Sequence, residues 1–270
     1  MKTELLSGIH PVAEALVAGR RIFREVFVAA GSASKRLSVI ASVATSKNIP
    51  VRRVTITQLN RIAGDIAHQG AAARVGPYPL VDLTTLLAQA SASEPSRFLV
   101  LLDTIVDPQN LGAIIRTALG VGVEGVVIPR DRAAGPTPAV SRASAGALEH
   151  VRLVQVTNLS TTIRTLQGHG WWVYGMDRNA DISVFEVDLT GSLAMVIGGE
   201  EKGIRPLVKQ SCDLLLSIPQ QGPVASLNAS VATAVALYEA YRQRSGRAKP
   251  ATGVQHRRTA SSSHQKGRVQ

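Results

Sequence analysis

The chain has little cysteine and few aromatic residues, and each shortage disfavours a class of protein. Its 270 residues include one cysteine, Cys212, so neither an internal disulfide framework nor a cysteine-rich metal site is expected. The histidines are dispersed and lack the spacing of metal ligands, so we expect no metal. Two tryptophans, four tyrosines and four phenylalanines are too few for a base-stacking platform.

Long apolar runs are also missing, which bears on where the protein acts. The first residues, MKTELLSGIH, lack the apolar core of a signal peptide, and no run approaches the length that spans a bilayer. With 45% hydrophobic residues, the chain can still bury a sizeable core, and its length favours two domains over one. We expect a cytoplasmic protein without membrane contact.

Positive charge is concentrated towards the two ends of the chain. Residues 1–76 contain eleven lysines and arginines against four acidic residues, residues 77–245 contain thirteen against fifteen, and residues 246–270 contain six against none. Basic segments around a nearly neutral centre are typical of polyanion binding, because each cation that meets a phosphate releases a counterion. A tail that merely aids solubility is the alternative. We expect contact with nucleic acid.

The hydrophobic pattern divides the chain into four segments and predicts an α/β fold. Residues 1–76 alternate helical and strand patterns and predict a small α/β domain, and residues 77–96 are rich in turn formers and predict a linker. Residues 97–245 contain six apolar runs separated by helical patterns, which predicts a parallel sheet with helices on both faces. Residues 246–270 are polar and basic and predict a disordered tail.

The last helical pattern covers about residues 226–244 and ends in basic residues, which suit the negative pole of a helix. Four of its apolar residues are expected to pack against the domain: Val231, Val235, Leu237 and Tyr238. An earlier glycine motif, at Gly120, Gly122 and Gly125, has the spacing of a dinucleotide-binding loop. It closes a helical pattern instead of opening one, so it predicts a helix end and a tight turn.

An apolar run that ends in Asp103, a polar loop and a helical pattern follow one another directly, which is typical of a site at the end of a buried strand. Pro108 and the side-chain amide of Asn110 suit the opening turn of the helix. Arg116 lies in an otherwise apolar stretch, where a buried charge needs a partner, so it is a candidate for binding an anion or a reacting oxygen. The alternative is a solvent-facing or salt-bridged arginine.

Two later loops follow apolar runs in the same way. One contains Gly198, Gly199 and Glu200, where glycines allow a ligand to approach the backbone and the carboxylate could bind a ribose hydroxyl or orient Arg116. The other follows the run LLLSIP and leads through a Pro/Gly loop to Ser226 at the start of the last helix. A helix N-cap is the simpler interpretation of Ser226.

The three loops together read DPxNxGxxxR, GxExxG and IPxxGxxxSLNxSVA. This order resembles the three motifs of the SpoU, or TrmH-like, branch of the SPOUT RNA ribose 2′-O-methyltransferases. The segments GIHPVAEAL and HQGAAARV resemble the ends of the L30e-like substrate-binding domain of the bacterial 23S rRNA guanosine 2′-O-methyltransferase group. The likeness covers nearly the whole chain and leaves out the tail after Arg247.

The resemblance implies an architecture, a cofactor and partners. The C-terminal α/β domain would contain a deep trefoil knot, and a homodimer would complete the catalytic pocket across the knotted interface. S-adenosyl-L-methionine would lie in the knot and contact mainly the backbone at Gly198, Gly199, Ile218 and Leu227. Structured RNA, with 23S rRNA favoured, would be the substrate, and the reaction would need no metal.

The resemblance also implies the chemistry. Five residues match the family's polar catalytic positions: Asn110, Arg116, Glu200, Ser226 and Asn228. A ribose 2′-hydroxyl, with guanosine favoured, would attack the sulfonium methyl group, and S-adenosylhomocysteine would leave; alignment of the reactants supplies on the order of 7–11 kcal/mol. Because guanidinium groups stay protonated in proteins, we expect Arg116 to stabilise the developing alkoxide while Glu200 or an RNA phosphate receives the proton.

Three alternatives remain open at the level of sequence. A tRNA ribose methyltransferase would share the fold and chemistry, but the L30e-like domain favours rRNA. A non-catalytic RNA-binding or ribosome-assembly factor would be expected to lose some of the matching residues, and all are present. A methyltransferase that confers antibiotic resistance at a neighbouring rRNA site is not distinguished, and Gln109, where relatives often have histidine, weakens any choice of nucleotide.

Overall fold

The computed structural model describes five stretches of the chain, residues 2–31, 33–88, 97–200, 202–222 and 226–246. The second part of the predicted linker and the tail beyond Gly246 lie outside these stretches. Two separate β-sheets organise the described residues. No helix within these stretches is long and apolar enough to cross a membrane.

Four strands form the first sheet, in the spatial order β1-β4-β2-β3. They are β1 (Glu4–Ser7), β2 (Phe23–Ala29), β3 (Val51–Val54) and β4 (Ala71–Val75). Seven strands form the second sheet, in the order β7-β6-β5-β10-β8-β11-β9. They are β5 (Phe98–Asp103), β6 (Gly125–Pro129), β7 (Leu153–Val156), β8 (Trp172–Met176), β9 (Ile182–Ser183), β10 (Leu193–Gly198) and β11 (Leu214–Ser217).

Helices connect most of the strands. They are α1 (Ile9–Ala18), α2 (Lys35–Ser46), α3 (Ile56–Ala63), α4 (Leu83–Ala88), α5 (Pro108–Gly120), α6 (Pro138–Ala143), α7 (Leu159–Gly168), α8 (Pro206–Ser211) and α9 (Ala229–Ser245). A short 3-10 turn, Ala147–Glu149, follows α6.

The first sheet is mixed, because β4 pairs antiparallel with β1 and β2 whereas β2 pairs parallel with β3. A capping box starts α3, in which Thr55 accepts from the backbone N–H of Gln58 and Gln58 accepts from that of Thr55. The sheet and its helices share one hydrophobic core, built on residues such as Leu6, Val26 and Leu59. The predicted small α/β unit at the N-terminus is therefore confirmed.

Every strand pairing in the second sheet is parallel, as the six apolar runs predict. Side chains alternate between its two faces: Phe98 and Val100 of β5 belong to the core on one side, and Leu99 belongs to the core on the other. Both faces are covered, which explains why the strands are apolar throughout. The trefoil knot concerns how the chain is threaded, so strand order does not test it and it stays a prediction.

The first part of the predicted linker is packed. Val81 forms a parallel bridge with Val154 next to the second sheet, and Leu86 of α4 is fully buried. Residues 83–88 of the predicted linker form helix α4, whose leucines make one apolar helix face that composition alone conceals. The boundaries between domains stay predictions.

The last helix begins at Ala229, three residues later than the pattern suggests. Its N-cap is Asn228, whose side-chain oxygen accepts from the backbone N–H of Ser230 at 2.9 Å, so the interpretation of Ser226 as N-cap is wrong. Val231 and Tyr238, expected to pack inside, are 48% and 55% exposed. The helix instead buries small residues together with Leu237, which turns those two side chains outward.

The glycine motif has the predicted role. Helix α5 ends at Gly120, and Gly122 follows in a left-handed conformation with φ of +75°. Strand β6 then begins at Gly125. The motif therefore closes a helix and turns the chain into a strand.

A buried ion pair joins the part of the chain that contains the first sheet to the part that contains the second. The guanidinium of Arg21, which follows α1, donates to Glu149 through Nε at 2.7 Å and Nη2 at 3.2 Å, and both side chains are almost fully buried. Burial lowers the pKa of Arg21, but hydrogen bonds and charges from Glu149 and Glu4 outweigh it, so the pKa is raised. Nearby, Nε2 of His150 lies 2.8 Å from Glu14 of α1.

Candidate active site

Four loops meet at one edge of the second sheet, because parallel strands have their carboxyl ends on the same side. The strands concerned, β5, β10, β8 and β11, are direct neighbours in the sheet. Each of the three loops singled out in the sequence follows one of these strands. Residues that are distant along the chain can therefore form a single site here.

The turn after β10 is held tightly by its glycines. The backbone N–H of Gly203 donates to the carbonyl of Gly199 at 2.9 Å, and Gly203 has φ of +62°. A Cβ placed on Gly198 would lie 2.1 Å from the carbonyl carbon of Gly203, so no larger residue fits. This packing explains the glycines of the GxExxG pattern and places Glu200 at the exposed tip.

Three side chains from three of the loops form a hydrogen-bonded cluster, which we call the polar cluster: Asn110, Glu200 and Asn228. Oε1 of Glu200 accepts from Nδ2 of Asn110 at 2.9 Å and also from Nδ2 of Asn228. Nδ2 of Asn228 lies 3.1 Å from Oδ1 of Asn110. The structure thus brings together three of the five predicted catalytic residues.

Helix capping differs from the prediction in a way that matters for this cluster. Asp107, and not Asn110, caps α5: its carboxylate accepts from the backbone N–H of Gln109 at 3.0 Å. Asp107 directly precedes Pro108 and occupies the N-cap position, so Asn110 is the third helical residue and lies in the opening turn, as the sequence suggests. The amide of Asn110 is therefore available to Glu200.

A cavity of about 520 Å³ lies beside the polar cluster. Its lining includes six of the predicted site residues: Gly198, Gly199, Glu200, Ile218, Ser226 and Leu227. Apolar side chains such as Ile204 and Leu216 share the wall with polar ones such as Gln220. The volume lies within the range of sites for small molecules and cofactors, about 300–1,000 Å³.

The loop after β8 also lines this cavity, through residues that sequence reasoning missed: Met176, Asp177, Arg178 and Asn179. Asp177 forms an ion pair with Lys209 of α8. Burial acts to raise the pKa of Asp177, but hydrogen bonds from Lys209 and the N–H of Asn179 outweigh it and hold the pKa below its usual value. The signal was present, since the apolar run WWVYGM ends in the polar segment DRN.

Arg116 lies outside the polar cluster in the single chain. It is exposed on α5, and within the described residues it makes no hydrogen bond or ion pair. Helix α5 buries the face that contains Leu111, Ile114 and Ile115, and Arg116 lies off this face. Glu200 accepts hydrogen bonds from the two asparagines and makes none with Arg116. In the single chain, Arg116 is therefore a solvent-facing arginine, which is the alternative that the sequence left open.

Within the described part of the chain, no group of three or more histidine, cysteine, aspartate or glutamate side chains could hold a metal ion. Two of the charged residues at the cavity, Asp177 and Lys209, are paired with each other. The chemistry available at this edge of the sheet therefore comes from a carboxylate, two amides and a cavity of mixed polarity.

Two family models and several known proteins match this chain. A model described as the RNA 2′-O ribose methyltransferase substrate-binding domain matches residues 5–81, and the model of the SpoU rRNA methylase family matches residues 97–238. The 23S rRNA (guanosine-2′-O-)-methyltransferase RlmB of Xanthomonas campestris pv. campestris is 40% identical over 91% of this chain and 98% of its own length.

Another relative and a solved structure agree with these matches. The RlmB enzyme of Escherichia coli K12 is 40% identical, over 90% of this chain and 100% of its own length. The SpoU methyltransferase AviRb of Streptomyces viridochromogenes, solved in complex with the cofactor AdoMet, is 27% identical with a TM-score of 0.73, covering 89% of each chain. On this sequence and fold likeness, the chain belongs to the SpoU rRNA methylase family.

Proposed function

We propose that this protein is an S-adenosyl-L-methionine-dependent RNA methyltransferase that methylates a ribose 2′-hydroxyl, that of a guanosine, in 23S rRNA. The observation that carries the proposal is the polar cluster placed directly beside the glycine-lined cavity, since Glu200 belongs to both. Relatives that are 40% identical over nine tenths of the chain are 23S rRNA (guanosine-2′-O-)-methyltransferases, which supports the choice of substrate.

The cavity fits S-adenosyl-L-methionine in size and in chemistry. Gly198 and Gly199 leave their backbone groups accessible, Ile218 and Leu227 supply apolar surface, and Ser226 adds a hydroxyl. A nucleoside with an attached amino acid needs this combination of apolar and hydrogen-bonding surface. When bound, the cofactor would supply an electrophilic methyl group.

The residues of the chain then have distinct tasks. The amides of Asn110 and Asn228 hold the Glu200 carboxylate, which would receive the proton of the ribose 2′-hydroxyl as the oxygen becomes nucleophilic. Arg116 would stabilise the negative charge that develops on this oxygen. Replacing Arg116 by lysine keeps the charge and removes the planar fork, so near-normal turnover by Arg116→Lys would limit its role to charge.

The first sheet supplies a surface for the RNA backbone. Arg52 and Arg74 flank Glu25 on one face of this sheet, with Nε atoms 2.7 Å and 3.6 Å from its carboxylate. Their side chains are 68% and 52% exposed, so two cations share one anion and the face keeps a positive charge. We propose that RNA phosphates bind here, and that the protein acts in the cytoplasm, where bacterial rRNA is found.

A homodimer would complete the site. Helix α9 exposes Val231, Tyr238 and Tyr241 by 48%, 55% and 45%, and their spacing places them on one helix face. Helix α5, which packs on α9, exposes Leu119 and Arg116. A second copy on this face would cover apolar surface and place Arg116 near a pocket. Analytical sedimentation measures the oligomeric state. We expect the unaltered protein to be a dimer and Tyr238→Glu to dissociate more readily into monomers.

The experiment that tests the function uses the purified full chain, labelled S-adenosyl-L-methionine and 23S rRNA from cells that lack this gene or its counterpart. We expect one ribose methylation in 23S rRNA, located by resistance of that position to alkaline cleavage. Modification of tRNA and not of rRNA would select the tRNA alternative. Binding of RNA without any methyl transfer, by protein that also fails to bind S-adenosylhomocysteine, would overturn the proposal.

A further inference from the structure

We propose that Asp103 and Arg205 form a positioning pair that holds the Glu200 turn and helix α8 in the shape that the cofactor cavity requires. The Glu200 turn is defined here as Gly199, Glu200 and residues 202–205. The inference rests on the proposed function and adds to it two residues that neither touch the cluster nor belong to the family's motif positions named above.

Asp103, the last residue of β5, is a fully buried carboxylate with one partner residue far along the chain. Its Oδ2 accepts from the backbone N–H of Arg205 at 2.7 Å. Its Oδ1 accepts from Nε of Arg205 at 2.7 Å and lies 2.7 Å from Nη2. Three charge-assisted contacts therefore fix both the backbone and the side chain of one residue.

The position of Arg205 gives the pair its effect. Arg205 ends the Glu200 turn and occupies the N-cap position of α8. The following residue, Pro206, lines the cofactor cavity, as does Lys209 one turn later. The Asp103 carboxylate thus determines where the turn stops and where this wall of the cavity starts.

The other end of the turn rests on the residue next to Asp103. Thr104 has φ of +62°, a conformation that residues other than glycine rarely adopt. A Cβ on Gly199 would lie 2.5 Å from the carbonyl oxygen of Thr104, so the start of the turn packs directly on it. Both ends of the turn are therefore held by two consecutive residues at the end of β5, with Glu200 between them.

A purely stabilising ion pair is the competing explanation, and the chain contains a matched control. Arg21 and Glu149 form another arginine–carboxylate pair with a buried carboxylate, and it joins the region of the first sheet to that of the second. Neither residue lines the cofactor cavity or belongs to the polar cluster. Glu149→Gln leaves the fully buried guanidinium of Arg21 without its main partner, whereas Asp103→Asn leaves the 40% exposed Arg205, so the control is the harsher structural change. Only the pair of Asp103 and Arg205 adjoins the Glu200 turn.

The test compares Asp103→Asn, Arg205→Lys and Glu149→Gln in the full chain, at a temperature where circular dichroism shows each variant folded. Titration calorimetry measures the Kd of S-adenosylhomocysteine. We expect Asp103→Asn to raise this Kd by about tenfold or more, Arg205→Lys to raise it less because the backbone N–H bond remains, and Glu149→Gln to leave it within about twofold. A Kd within about twofold for Asp103→Asn, or an equal loss in Glu149→Gln, would overturn the proposal.

Hydrogen exchange on the unliganded proteins gives a second measurement that does not depend on cofactor binding. The amides of Gly203 and Arg205, both hydrogen-bonded in the structure, should exchange faster in Asp103→Asn and unchanged in Glu149→Gln. If the unaltered protein fails to bind S-adenosylhomocysteine, the proposed function fails while this comparison still decides the role of the pair. Unchanged exchange in both Asp103→Asn and Arg205→Lys would refute it.

Discussion

The two sheets differ in strand arrangement and in where their polar side chains lie. The first has four strands in a mixed order and presents the Arg52 and Arg74 side chains on an exposed face. The second has seven parallel strands with a hydrophobic core on each face, and Asn110, Glu200 and Asn228 meet beyond the carboxyl ends of its strands. A parallel sheet collects loops at one edge, whereas a mixed sheet leaves an open charged face. If the proposed function is correct, catalysis and RNA binding lie on different sheets, and we expect that each can be removed without the other.

The largest effect is expected from Glu200→Gln. Glutamine keeps an oxygen that can accept from Asn110 and Asn228 but removes the proton acceptor, so kcat should fall by about 10²- to 10⁴-fold. Single-turnover methyl transfer at saturating RNA measures this, and filter binding should give an unchanged Kd for RNA. Glu186→Gln, an exposed carboxylate outside the cavity, serves as the control. Equal kcat for the two variants would show that Glu200 takes no part in proton transfer.

The connection between the two sheets' regions should be the next most sensitive point. Glu149→Gln leaves the buried Arg21 guanidinium without its main partner, which should lower the free energy of unfolding by about 3–5 kcal/mol. Urea denaturation measures this. Arg242→Gln removes an exposed guanidinium from its pair with Glu239, whose carboxylate keeps Nε2 of Gln243 as a donor, and should have a much smaller effect. Similar losses from both variants would mean that a buried guanidinium is no more sensitive to loss of its partner than Glu239 is.

A smaller effect is expected from the charged face of the first sheet. Replacing Arg52 and Arg74 together by alanine should weaken RNA binding by about tenfold at moderate salt and lower the salt slope by about 1–2. The kcat at saturating RNA should stay unchanged, in contrast to Glu200→Gln. Arg242→Ala, which removes one exposed arginine from α9, is the control. An unchanged salt slope would show that this face does not meet phosphates.

The smallest effect concerns the only thiol of the chain. Burial, with the nearby charges of Asp213 and Asp103, raises the pKa of Cys212 to about 12. The reactive thiolate is therefore scarce at neutral pH, and iodoacetamide at pH 7.5 should leave activity and mass unchanged over an hour in which the urea-unfolded chain is labelled. Rapid labelling of the folded protein would show that α8 opens readily.

The sequence predicts the second sheet and the general place of the site because both depend on local patterns. Six apolar runs become parallel strands, and the loops after three of them supply Asn110, Glu200 and Asn228. Glycine spacing is equally readable, since Gly198 and Gly203 pack against each other across one short turn. Such features follow from residues that are close along the chain.

The features that the sequence does not reveal depend on which of several residues takes a given position or partner in the folded chain. Asp107 and Asn110 can both cap a helix, and only the position of Pro108 decides for Asp107. Arg116 is exposed because α5 rotates a different face towards the core. Asp103 has no local sign of its partner, because Arg205 lies on a different loop and reaches it only after β10 has paired with β5.

Close contacts between residues of the first-sheet part and the second-sheet part restrict how the two parts can move relative to each other. At Gly146, φ is +86° and an added Cβ would lie 2.6 Å from Cγ of Glu14, so the two parts meet there without room for adjustment. The buried pair of Arg21 and Glu149 joins the same two regions. If RNA phosphates bind the first sheet as proposed, we expect their distance from the polar cluster to be fixed before the RNA arrives, so that the protein would select a ribose by its distance from the bound backbone.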